Sequence, residues 1–230
     1  MKEIQKILNI GTPMHLAHGK SIGDIQAWRE AQMQKAIEED RKARDAQLAE
    51  YLRNKLGNRF KDRTFDTFEV NADTERAYKI CKKFADRESY KDGKGILLSG
   101  SYGTGKTHLM ASVTNRLLDR GIPCLFDTFS GHTASLIEEF NNGEPRKYLN
   151  LMKRVPVLVI DDAGKEKVSE WSQSVMYDVI NTRYESYKPI LITTNFSHDD
   201  LMRYLGGAIY SRLKEICYAA ELTGKDHRRW

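Results

Sequence analysis

The octapeptide GSYGTGKT, Gly100–Thr107, follows the apolar run GILLS at 95–99 and runs straight into HLMASVTNRLL at 108–118. Leu109, Met110, Val113, Leu117 and Leu118 there recur at helical spacing. Consecutive backbone N–H groups converge on one anion only where the chain turns tightly, which takes glycines. A helix opening directly behind the turn adds its positive dipole end. A strand, a turn carrying Gly100, Gly103 and Gly105, and then a helix therefore read as a phosphate cradle. In this pattern Lys106 reaches the β- and γ-phosphates of ATP and the Thr107 hydroxyl ligates Mg2+. Ser101, Tyr102, Thr104 and the adjoining His108 complete the expected nucleotide-binding set.

A second apolar run, VLVIDD at 157–162, ends in two carboxylates. An acid at a strand end beside a phosphate loop supports Mg2+, and Asp161 takes that role. Asp162 is placed to polarise an attacking water, Glu166 is the rival base, and the residues alone do not choose between them. PILITTN at 189–195 is another buried-strand pattern with a polar end. Its Asn195 can orient water beside the γ-phosphate, with Thr194 a lesser candidate. In GGAIYSRLKEI at 206–216, Arg212 lies off the stripe formed by Ile209, Leu213 and Ile216. It is expected to reach the nucleotide of a neighbouring subunit, where a guanidinium offsets charge on the transferring phosphoryl group.

With PCLFDT at 123–128, four apolar runs alternate with helical patterns at 106–120, 131–141, 169–187, 199–204 and 208–216. Such alternation predicts a parallel sheet covered by helices. Upstream, the chain runs from Asp24 to Leu56 without Gly or Pro, and a long helix is expected there. Its apolar positions cluster at Ile25–Ile37 and Leu48–Leu56, and the charged middle EEDRKARDAQ, 38–47, cannot bury much; such a helix suits a partner-binding arm. The turn LGNRF near Gly57 places the domain boundary at residue 58, with 1–58 an extension and 59–230 the second unit.

The composition, 40% hydrophobic and 30% charged over 230 residues, is that of a folded soluble protein. No run approaches a membrane span or a secretory leader, so a cytoplasmic location is expected. Cys81, Cys124 and Cys217 form no paired motif, which speaks against a zinc site and against a disulfide framework. Residues 1–63 hold 13 Lys and Arg against 9 Asp and Glu, so most of the net charge of +5 is N-terminal. That excess suits an arm touching nucleic acid or an acidic partner.

These motifs, with IDDAGKEKVSEW, ITTNFS, the SRL helix and the ending ELTGKDHRR, resemble the replicative helicase loaders of the DnaC/DnaI type and, close behind them, the IstB transposition helpers. Both are AAA+ ATPases, and the resemblance covers about residues 59–230. It implies an α/β AAA+ P-loop core without a separate lid domain, ATP-dependent self-association, single-stranded DNA contact, and binding of a hexameric replicative DNA helicase by the N-terminal region. Residue by residue it makes Lys106 and Thr107 Walker A, Asp161 and Asp162 Walker B, Asn195 sensor 1, Arg212 the arginine finger and Arg228 a sensor-2 candidate.

The sequence departs from the pattern in three places. It has no N-terminal cysteine cluster, it carries Ala208 where many relatives have a second arginine four positions before the finger, and its N-terminal region is short for an adaptor domain. A duplex-DNA transposase helper and a slow ATP-dependent assembly switch are the alternatives. A small-molecule kinase needs an Arg-rich closing lid, which the chain lacks.

Overall fold

The computed structural model describes residues 22–87, 89–143, 146–164 and 169–224. Contacts divide the chain into two units, Met1–Leu48 and Ala49–Trp230. Helix α1, Ile22–Lys55, runs through that division. Its charged middle is laced by pairs one turn apart, Arg41 on Glu38 and Arg44 on Asp40, each worth a few tenths of a kcal/mol. Ala49, Leu52 and Leu56 at the end of this helix are buried and fall in the second unit. No helix among the described residues is long and apolar enough to cross a membrane.

The second unit is built on five parallel strands, β1 Gly95–Gly100, β2 Cys124–Thr128, β3 Val157–Ala163, β4 Ile190–Thr194 and β5 Cys217–Leu222, in the spatial order β2-β3-β4-β1-β5. Their core residues, among them Ile96, Leu98, Leu158, Ile160, Ile190 and Leu191, are almost wholly buried, as the apolar runs require of a sheet covered on both faces. The strand that follows β3 in sequence, β4, lies between it and β1 in space. The carboxylate-bearing end of β3 therefore stands one strand away from the phosphate loop.

The helices after α1 are α2 Asn58–Lys61, α3 Glu75–Asp86, α4 Lys106–Asp119, α5 Phe129–Asn141, α6 Lys147–Arg154, α7 Glu170–Glu185, α8 His198–Leu205 and α9 Gly207–Ile216. On α7, Arg183 is fully buried. It donates to the carbonyls of Met152, Val155, Pro156 and Pro189. These carbonyls lie just ahead of β3 and β4, so one guanidinium fixes where both strands start. Burial without a carboxylate pushes its pKa down to about 9.

Candidate functional site

The loop 101–105 joins β1 to α4 with Gly100, Gly103 and Gly105 all at positive φ. A Cβ on Gly100 would stand 2.0 Å from the Leu222 carbonyl oxygen on β5, and one on Gly105, at φ 97°, would stand 2.7 Å from the Phe68 ring. Glycine is thus required at both by contact as well as by backbone conformation. Lys106 folds its ammonium back over the loop, donating to the carbonyls of Gly100 (2.8 Å) and Ser101 (2.7 Å), and Thr104 donates to Ser101 O at 2.9 Å. Thr107 follows in the first turn of α4 and donates to Asp161 Oδ2 at 2.9 Å.

The end of β3 carries a feature that its sequence does not announce. Ile160 pairs with Ile192 but Ala163 pairs with Thr194, so β3 holds one extra residue opposite β4. Asp162 within this bulge has φ 58°. In a regular strand successive side chains point to opposite faces, and a bulge re-aims one of them. Here Asp161 and Asp162 line the same cavity. Two threonines of β4 hold the distortion. The Thr193 hydroxyl accepts from Asp162 N–H at 2.8 Å and donates to Asp161 Oδ1, while the Thr194 hydroxyl donates to Ala163 O at 2.7 Å. Thr193 is the site residue that sequence reasoning missed, because a threonine inside an apolar run reads as strand core. Thr194 is committed to the bulge and is fully buried.

Asn195 Nδ2 donates to Asp162 Oδ1 at 2.8 Å, which fixes that carboxylate at the cavity. Burial pushes the Asp161 carboxyl above the usual carboxylate range and the Asp162 charge adds to this, against the hydrogen bonds from Thr193 and Thr107 and the charge of Lys106. A buried acid facing a threonine hydroxyl and a lysine suits a divalent cation that takes its remaining ligands from phosphate and water.

The cavity measures about 820 Å3 and is lined by residues 102–108, Thr128, Asp161, Asp162 and Asn195, with a wall from residues 59–69 that includes Arg59, Arg63 and Phe68. No motif marks this wall. It is held by α4. Asn115 Nδ2 donates to the carbonyls of Phe60 and Arg63, both at 2.8 Å. His108 Nε2 donates to Thr64 O at 3.0 Å, leaving Nδ1 to accept from Arg63 at 3.2 Å. Desolvation lowers the His108 pKa, consistent with that neutral ring. His108 therefore lines the cavity and anchors its wall.

The structure brings Gly100–His108, Asp161, Asp162 and Asn195 together. Arg212 is elsewhere, on α9 against α7, and is not part of the cavity. Glu166 and Arg228 lie outside the described residues.

Residues 23–229 match the family described as "IstB-like ATP binding protein". The chain belongs to this family. The chain is 34% identical over 150 residues to the phage-like element PBSX protein XkdC of Bacillus subtilis, a match covering 61% of this chain and 55% of that protein. It is 24% identical to the replicative helicase loader DnaC of Escherichia coli over 246 aligned positions, covering 99% of this chain and 97% of DnaC. The crystal structure of the DnaC helicase loader superposes with a TM-score of 0.68 at 28% identity, over 73% of this chain and all of that one. The AAA+ P-loop architecture expected from the motifs is thereby established, as is the kinship with both the IstB and the DnaC/DnaI proteins.

Proposed function

We propose that the chain is an ATP-hydrolysing helicase loader. In this reading it binds ATP in the 820 Å3 cavity, self-associates through its ATP sites, contacts single-stranded DNA and holds a hexameric replicative helicase through its N-terminal region, in the cytoplasm. The observation that carries the loader reading is the end-to-end match to DnaC, which takes in the N-terminal arm as well as the sheet.

Hydrolysis is assigned to the residues gathered around the bulge. The N–H groups of the loop and the Lys106 ammonium bind the phosphates, and Thr107 with Asp161 would hold Mg2+, which would supply positive charge to offset that developing on the transferring phosphoryl group. Asp162 is the base that takes the proton from the attacking water. Asn195 supports this choice over Glu166 by fixing the Asp162 carboxylate at the cavity. Arg212 of a neighbouring copy supplies the trans-acting charge, and Arg228 is the candidate for an additional nucleotide contact in cis.

The family match supports a second reading, an ATPase that assists a transposase on duplex DNA. ATP turnover measured without DNA, with single strands and with duplex separates the two. The loader reading expects stimulation by single strands. Stimulation by duplex alone contradicts it and favours the transposase helper.

A further inference from the structure

The arginine assigned to the neighbouring subunit's nucleotide is held in an unusual setting. Arg212 lies with its guanidinium carbon 5.4 Å from the centre of the Tyr177 ring and 5.7 Å from that of Tyr184, both on α7. These separations fall within the range at which a ring face attracts a cation. Nη1 donates to Ala208 O at 3.1 Å, one turn back on α9, while Nε is buried without a hydrogen-bond partner. Among the described residues no carboxylate pairs with Arg212. The nearest acid on its own helix, Glu215, is instead engaged by the Tyr184 hydroxyl, which donates to its Oε2 at 2.9 Å.

Tyr184 thus makes two contacts at once: its ring lies against the guanidinium, and its hydroxyl donates to the Glu215 carboxylate. Tyr177 completes the clamp from one side of α7 while keeping 41% of its own surface exposed. A free arginine loses rotamer entropy when it is ordered. A guanidinium already held by two rings has lost much of that freedom before it meets a phosphate. The charge remains available, since aromatic faces attract a cation without cancelling it.

We infer that Tyr177 and Tyr184 are positioning residues that hold Arg212 ready, and un-neutralised, to act on the triphosphate bound by a second copy of this chain. The inference rests on the proposed trans role of Arg212 and adds to it how the side chain is presented.

The test is complementation between two full-length variants. A Lys106→Ala chain, with no working ATP site of its own, donates an intact Arg212 to an Arg212→Ala chain whose site is intact. Mixing them restores turnover if the arginine acts in trans. Placing Tyr177→Leu with Tyr184→Leu in the donor chain is expected to lower the restored kcat roughly 10-fold, with the KM for ATP on the acceptor unchanged. Tyr177→Phe, which keeps the ring, is expected to restore turnover, and Tyr184→Phe, which frees Glu215, to give an intermediate rate. Thermal melting of each donor confirms that the fold survives. Undiminished or increased turnover with the double-leucine donor overturns the clamp while leaving the trans arginine standing. If Arg212→Ala alone leaves turnover intact, the trans role fails and the clamp fails with it.

Discussion

Because Asp161 is 2% exposed, its charge is costly to the nucleotide-free fold, although it is the acid we propose to hold Mg2+. Its carboxyl is held above the ordinary range, so the folded protein binds that proton more tightly than the unfolded chain does. Stability from this group is fully present below the unfolded value and is lost as pH rises through the raised folded value. Asp161→Asn should therefore raise the thermal midpoint of the nucleotide-free protein at neutral pH by about 2–4 °C per kcal/mol recovered, while ATP turnover collapses. A lower midpoint for this variant in a calorimetric scan contradicts the assignment.

Two other residues divide binding from chemistry. Asn195→Ala removes the amide that fixes Asp162, and kcat should fall about 100-fold with ATP affinity held within twofold; fluorescent-nucleotide titration beside steady-state kinetics reads both. Thr193→Val removes the hydroxyl joining Asp161 to the Asp162 amide. The Mg2+ concentration for half-maximal turnover should then rise about 10-fold. That the phosphate loop with Lys106 and Thr107 meets Asp161, Asp162 and Asn195 at one cavity could be expected from sequence, because the glycines and lysine have the spacing of a phosphate cradle and the three polar residues end buried-strand runs. The part of Thr193 could not, because its role exists only once a bulge places it between two neighbouring acids.

Among the elements, those with a full apolar run, β1, β3 and β4, were readable in the sequence because burial on both faces leaves no choice of residue. Strand β5 was not. CYAAEL continues α9 without a turn residue, and as an edge strand it exposes Tyr218 and Ala219 while burying Ala220 and Leu222. Helix α3 was also unread, although Ala77, Cys81, Phe84 and Ala85 mark its buried face, because charged residues dilute the pattern. The starts of β3 and β4 depend on Arg183, whose loss leaves several buried carbonyls unpaired. Arg183→Met should cost about 3 kcal/mol in denaturant unfolding. A cost within the scatter of surface substitutions would show that the carbonyls find other partners.

For the molecule as a whole, the long helix expected between Asp24 and Leu56 is present, but its last turns belong to the sheet-bearing unit. The arm assigned to the helicase is therefore best removed at Leu48, which spares the buried Ala49, Leu52 and Leu56. The central claim is that ATP in the cavity and the N-terminal arm together serve a replicative helicase. Its most direct test is capture of the purified hexameric replicative helicase of the same host by the immobilised full-length chain, with and without ATP, beside the chain lacking residues 1–48 and the Lys106→Ala variant. The account predicts that the full chain retains the helicase with a response to ATP, that the truncated chain does not retain it in either state, and that Lys106→Ala retains it without a response to ATP. Failure of the full chain to retain the helicase in either nucleotide state would contradict it.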